Sequence, residues 1–235
     1  MPLAHSPRPL RRGARCGGCG RPATPWCEAC ALRLAAAGGW ARLRPPPAGL
    51  PPVRVVGQYS WTLRRAILAY KERGRRDLAG PLGVALGHAI RVALDTAPEA
   101  LRTGQELIVP VPASAAGLQA RGFAPVALLV QHAGHPQAAL LAWQRAAADQ
   151  AGLGAAARAA NLAGALGISA GSDAGQAAAC GVVLVDDVVT TGATLGEAAR
   201  VLHQAGIPLV GAAALAATRP RPLPHSTGPI WKGSS

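Results

Sequence analysis

Aromatic side chains are scarce. Phe123, two tyrosines and five tryptophans are all that 235 residues contain. The five in the N-terminal third, Trp26, Trp40, Tyr59, Trp61 and Tyr70, are scattered, so no stacking platform for single-stranded nucleic acid stands out. Long apolar runs are also missing. LVGAAALAA at 209–217 is among the longest, and it falls well short of the ~20 residues a membrane span needs. The opening stretch MPLAHSPRPLRRGARCGG carries charge but no apolar h-region, so it does not read as a secretory signal. A cytoplasmic location without membrane insertion is the expectation, and thiols stay reduced there. Lysine is nearly absent, with Lys71 and Lys232 against 22 arginines. Together with the Ala, Gly and Pro content, this bias reads as genomic composition and carries no function.

What charge there is sits at one end. Residues 1–80 hold 14 arginines and Lys71 against Glu28, Glu72 and Asp77, a net +12 of the total +13. A basic surface for a polyanion such as single-stranded DNA would belong to this third. Solvated arginines inflated by composition explain it equally well.

Composition also divides the chain. Residues 1–37 form a cysteine-bearing segment, 38–53 a Pro/Gly linker, 54–218 a main domain, and 219–235 a proline-bearing tail expected to be disordered. Cys16-Gly-Gly-Cys19 and Cys27-Glu-Ala-Cys30 are two CxxC pairs separated by seven residues. Each pair can set two thiolates at adjacent corners of a zinc tetrahedron, and Gly17, Gly18 and Gly20 free the backbone for the knuckle. So short a segment has no room for a core, so the metal would supply its folding energy. Two disulfides or a redox CxxC are the alternatives. The reducing compartment weighs against the first, and the lack of a surrounding βαβ pattern against the second. With four thiolates the zinc would be structural. Cys180, ahead of a buried strand, reads as an ordinary small residue.

In the main domain, residues 61–94 alternate apolar and basic residues at helical spacing and predict two helices broken near Gly74. ELIVPVP at 106–112 predicts a short buried strand, and FAPVALLVQHAG at 123–134 a helix stopped at Gly134. GVVLVDD at 181–187 is a continuous β-branched run, as for a central parallel strand covered on both faces. TLGEAARVLHQA at 194–205 predicts a helix and IPLVGAAALA at 207–216 the next strand. The class is α/β, an open and mostly parallel sheet flanked by helices, preceded by a small zinc-binding domain.

The stretch VVLVDDVVTTGATL, residues 182–195, carries the most chemistry. Its strand would deliver Asp186 and Asp187 to the carboxyl edge of the sheet, where ligands of such folds bind. Thr190, Thr191, Gly192, Ala193 and Thr194 form the turn into the next helix, whose N–H groups and hydroxyls favour a phosphate. Gly192 would let the backbone come close. Two carboxylates beside a phosphate site suit the vicinal hydroxyls of a ribose, whose hydrogen bonds they can accept. The residues ask for a 5-phosphoribosyl group. A strand-turn-helix with an N-capping threonine is the plain structural alternative, and it leaves the acidic pair unexplained.

The same stretch resembles the PRPP-binding signature of type I phosphoribosyltransferases. The surrounding chain narrows the resemblance: the double CxxC, Tyr70-Lys71 with Gly74, VPVP at 109–112, Arg121-Gly122-Phe123, Asp149-Gln150 with Leu153, and Arg158 with Asn161-Leu162 stand in the order seen in ComF/GntX-like proteins. Two positions depart. Ala124-Pro125 stands where that family often has Asn-Gln, and Leu166 where it often has phenylalanine.

The resemblance implies a phosphoribosyltransferase, a glycosyltransferase that passes the phosphoribosyl group of PRPP to an unidentified acceptor. It also implies a link to natural competence and DNA uptake, with single-stranded DNA or a DNA-uptake helicase as partner. By the same resemblance the segment Asp186, Asp187, Val188, Val189 and Thr190 to Thr194 holds the ribose and the 5-phosphate. Ala113 and Ser114 lie in the pyrophosphate loop, and magnesium travels with PRPP. Lys71, Arg121 and Gln150 are candidates for the leaving group or the acceptor, although Lys71 and Arg121 read equally as solvated charges. His88, His132, His135 and His203 show no partner pattern. Three readings stay open: an enzyme, a PRPP- or nucleotide-sensing DNA-binding module, or both in one chain.

Overall fold

The computed structural model describes residues 15–22, 24–36, 38–145, 155–218 and 220–222. The cysteine segment supplies helix α1 (Glu28–Ala36), and the chain then enters strands β1 (Gly39–Ala41) and β2 (Val53–Gln58). Helices α2 (Trp61–Glu72) and α3 (Ala79–Asp95) follow, broken at Gly74, which sits at a φ of 63°. Next come β3 (Leu107–Pro110), α4 (Ala115–Arg121) and α5 (Pro125–Ala133), with Pro125 in the first turn of α5 and Gly134 ending it in the left-handed region. The hairpin strands β4 (Leu141–Trp143) and β5 (Leu166–Ile168) flank α6 (Ala155–Leu162), and α7 (Ala174–Cys180) leads into β6 (Val182–Val189). Helix α8 (Ala193–Gln204), β7 (Leu209–Ala217) and β8 (Pro220–Pro222) close the described chain.

The main sheet has the order β3-β6-β7-β2-β1-β8, and β4 pairs with β5 in a separate two-stranded sheet. From β3 to β2 all neighbours run parallel, while β1 is antiparallel to both β2 and β8. Strand residues alternate between two cores. Val182 and Leu184 of β6 face the core shared with α8, while Val183 and Val185 face the core shared with α2, α3 and α5. Coverage on both faces is why β6 and β7 read as unbroken apolar runs.

Two expectations change here. The linker 38–53 contains β1, and the tail expected to be disordered contributes β8, whose Pro220 to Pro222 pair with Ala41 to Gly39. β8 lies at the sheet's edge, where proline is tolerated because one side needs no ladder bond, and β1 lies between it and β2.

Small residues set the layer spacing. On α3, a methyl group added at Gly83 would stand 2.6 Å from the Leu129 carbonyl oxygen, and one at Gly87 would stand 2.5 Å from that of Ala133. Helices α3 and α5 therefore touch backbone to backbone, and that contact cannot give way. Gly80, on the same helix, has open space where its Cβ would go. Chemical denaturation should separate the two. Gly87→Ala should destabilise the fold by about 1–3 kcal/mol through overpacking. Gly80→Ala should be neutral or slightly stabilising, by up to about 1 kcal/mol, through helix propensity.

Candidate functional site

Strands β3 and β6 are parallel neighbours whose chains leave in opposite directions. Past β3 the chain runs through α4 to α5, packed on the α3 face; past β6 it runs to α8, packed on the other. A crevice opens at the carboxyl edge of an open α/β sheet wherever adjacent strands part in this way, and ligands bind there. The loop carrying Ala113 and Ser114 and the segment from Asp186 to Thr194 both border this crevice. Their alignment is fixed by Pro110 pairing with Val185 and by the Val111 N–H donating to the Val185 carbonyl at 2.8 Å.

Strand β6 continues past the acidic pair, with Val188 and Val189 paired to Ala216 and Ala217. Val189 is buried in the α8-side core and Val188 packs against the other, so both side chains serve packing. The carboxylates are held differently. Asp187 is buried, and its Oδ2 lies 2.6 Å from Lys71 Nζ at the end of α2. Asp186 turns back so that its Oδ1 accepts the Asp187 N–H at 2.8 Å. Burial, with the charge of Asp187 behind it, pushes the Asp186 carboxyl from 3.8 up to about 7, against the pull of that N–H and of Lys71. Tyr70, next to Lys71, is fully enclosed and donates its hydroxyl to the Pro125 carbonyl at 2.8 Å. Burial first and Asp187 second raise its pKa.

Lys71 is therefore bound to the acidic pair rather than solvated. Its neighbour Glu72 reaches Arg121 Nη1 at 3.5 Å, so each candidate cation is paired with a carboxylate, Lys71 with Asp187 and Arg121 with Glu72. Arg121 Nε is buried with no hydrogen-bond partner among the described residues. Sequence reasoning missed a further contact: the Arg76 guanidinium lies 4.7 Å above the Phe123 ring, which itself meets Tyr70 edge-on at 5.4 Å. Gln150 lies outside the described residues.

In the turn before α8, Thr190 is exposed and the Thr191 hydroxyl accepts the Ala193 N–H at 3.3 Å. Gly192 has a φ of 79°, and a Cβ there would stand 2.7 Å from Leu43 Cδ1. The expected close approach is thus made by the proline segment, with Leu43 filling the space. Pro47 comes equally near Gly196, within 2.6 Å of where its Cβ would be. Across the crevice Ser114 caps α4, accepting the Gly117 N–H at 3.1 Å, and the Pro112 carbonyl accepts the Trp143 indole N–H at 2.9 Å.

The second cluster lies in the cysteine segment. The sulphurs of Cys16, Cys19, Cys27 and Cys30 all fall within 4.8 Å of one another, and Cys19 Sγ is 3.5 Å from Cys27 Sγ. Zinc–sulphur bonds of ~2.3 Å in a tetrahedron put sulphurs ~3.8 Å apart, so the set can hold zinc. Burial works upward on the Cys16 thiol, but N–H groups of Cys19, Cys27 and Gly18 outweigh it and bring it down to about 6, while burial and the three other sulphurs raise Cys30. The knuckle rests on the main domain. A Cβ at Gly17 would strike Leu78, and the Arg75 guanidinium donates to the Arg15 carbonyl at 3.0 Å.

The basic third is partly spent on such contacts. Arg75 also pairs with Asp77 at 2.6 Å, Arg65 lies over Trp61, and Arg54 is buried.

The carboxyl-edge crevice, with an acidic pair on one strand and a small hydroxyl-rich turn after it, has a counterpart among known domains. Residues 120–233 match the phosphoribosyl transferase domain. No curated protein matches the chain. The phosphoribosyl transferase domain match covers Arg121, the acidic pair and the turn of 190–194, and it begins after Lys71 and the cysteine cluster. The activity implied at this level is that of a PRPP-utilising transferase.

Two outcomes follow from this geometry. Between 3.8 and about 7 the folded chain keeps on Asp186 a proton that the unfolded chain has released, so stability falls as pH rises through that window. In thermal melts, Asp186→Asn should therefore gain on the parent as pH is raised from about 4 to about 8, with little difference at the acid end. For the cysteines, metal analysis of the purified chain should give close to one zinc per chain, lost in Cys27→Ser/Cys30→Ser. A folded chain free of metal would remove the zinc assignment.

Proposed function

We propose that the chain binds PRPP in the crevice between β3 and β6 and transfers its phosphoribosyl group to an acceptor, releasing pyrophosphate. The observation that carries this reading is the placement of Asp186 and Asp187 on the strand that feeds the turn of 190–194, at the topological switch point of the sheet. The ribose hydroxyls would donate to the two carboxylates. The 5-phosphate would take the N–H groups and hydroxyls of Thr190 to Thr194 at the start of α8. Ala113 and Ser114, facing them across the crevice, suit the pyrophosphate.

Lys71 gives the reading its chemistry. Without ligand it neutralises Asp187. A ligand that engages Asp187 through its hydroxyls frees Lys71, whose flexible stem can then meet the negative charge of the departing pyrophosphate. Arg121, tethered loosely through Glu72, can serve the same charge. At C1 of the ribose the bond to pyrophosphate oxygen breaks and the bond to the acceptor's nucleophilic atom forms, through an oxocarbenium-like state. Such a step depends on charge neutralisation and positioning, and needs no protein nucleophile. Magnesium bound to the diphosphate would neutralise further charge, with Asp186 and Asp187 as the carboxylates at hand. The clustered thiols ahead of the domain support a ComF-like protein with a structural zinc. The acceptor class stays open, an amine or a nucleobase being the candidates.

The test compares the parent with Asp186→Asn/Asp187→Asn and with Lys71→Met. PRPP with magnesium should raise the parent's melting temperature. The double variant should lose that shift while keeping its circular dichroism spectrum. Lys71→Met should still bind PRPP but release pyrophosphate to added amines or bases at least about tenfold more slowly. Equal PRPP protection of parent and double variant would end the ribose assignment.

A further inference from the structure

A second cavity lies away from the crevice, where the cysteine segment meets the main domain. It is open to solvent on one side, holds about 380 Å³ between α1, α3 and the face of β2, and is walled mainly by Trp26, Leu34, Val56, Val84 and Ala85. Its volume falls within the range of small-molecule sites. None of the residues assigned to PRPP borders it, and β2 is separated from β6 by β7.

One charge is built into this apolar space. Arg54 of β2 lines the cavity and is only 4% exposed. Its Nε and Nη1 are buried and have no hydrogen-bond partner among the described residues. The Trp40 ring, 5.8 Å from the guanidinium carbon, offers only a distant cation–π contact. The Nη2 end of the head group lies against Gly38, in the space that a Cβ there would take. Burial lowers the pKa of Arg54, yet a guanidinium does not give up its proton in a protein. A buried cation without a partner is strongly unfavourable, and sites of this kind are completed by an anion. Among the described residues the other titratable side chain on the cavity wall is His88, which is exposed, and none of those lining it is a carboxylate.

We propose that this cavity binds a small monocarboxylate with an apolar body, its carboxylate paired to Arg54 and its hydrocarbon lying between α1 and α3. A carboxylate matches the single positive charge of the guanidinium and accepts a charge-assisted hydrogen bond from it. One buried positive charge balances one negative charge, which favours a carboxylate over a doubly charged phosphate. The apolar walls accept a hydrocarbon and reject a polar ligand such as a sugar phosphate. Because α1 carries Cys30 and forms one wall, an occupant would also tie the cysteine segment to the main domain.

The test titrates the full chain, zinc-loaded as purified, with octanoate, 4-phenylbutyrate and 1-octanol by calorimetry. At least one of the two carboxylates should bind saturably, and 1-octanol at least about tenfold more weakly. Arg54→Met should lose the carboxylate by a similar factor. Its melting temperature without ligand should rise, since the orphan charge is gone. Ala85→Phe, which fills the cavity and leaves Arg54 in place, should also abolish binding. Asp186→Asn/Asp187→Asn should bind the carboxylate as the parent does, which separates this site from the crevice. Equal affinity for 1-octanol and octanoate would overturn the proposal, leaving only an apolar hole. So would the absence of saturable binding by either carboxylate up to millimolar concentrations, or carboxylate binding that survives Arg54→Met.

Discussion

Strand β6 has to end in charge inside a sheet that is apolar on both faces. Val182 to Val185 are wholly buried, and the next two residues are carboxylates. Two adjacent carboxylates cannot both ionise there without help, and much of the site is organised around supplying it. Asp187 is neutralised by Lys71, which the length of α2 brings to the strand end. Asp186 has a backbone N–H as its hydrogen-bond partner and retains its proton to about 7. A ligand rich in hydroxyls would relieve both, so the free site holds unfavourable electrostatics that binding can release. Tyr70, packed next to Lys71 and anchored to the start of α5, keeps this end of α2 in place.

The alanine and glycine bias, uninformative in composition, becomes geometry in the fold. Strand β7 is buried along its whole length and contributes Ala212, Ala213, Ala214, Ala216 and Ala217. Small side chains let α3 and α8 lie close to the sheet, and Gly83 and Gly87 let α5 lie close to α3. Close layers are rigid layers. The proposed binding of phosphate, ribose and pyrophosphate in line would depend on such a frame more than on any single contact.

Periodicity made the central elements legible. The helices of 61–94 with their break at Gly74, the buried run of β6, the turn of 190–194, α8 and β7 all stand where apolar spacing placed them. The spacing of the four cysteines likewise anticipated sulphurs within reach of one ion. Other features left no such mark. β1 and β8 are three residues each, lie in proline-bearing stretches and are defined by pairing across the fold, β1 with β2 and β8 with β1. The partnership of Lys71 with Asp187, and of Glu72 with Arg121, joins residues far apart in sequence. Arg54 looked like one more surface arginine among 14 in its third of the chain; only the docking of α1 and α3 over β2 buries it. Gly192 was read correctly as a turn residue, but its bare face meets Leu43, a contact that local sequence cannot reveal.

The most direct measurement is a crystal structure of the chain grown with PRPP and magnesium. It should show the 5-phosphate against the N–H groups of 190–194, the ribose hydroxyls on Asp186 and Asp187, and the Lys71–Asp187 pair opened. PRPP bound elsewhere, or bound here with Lys71 still on Asp187 and the diol turned away from both carboxylates, would contradict the account.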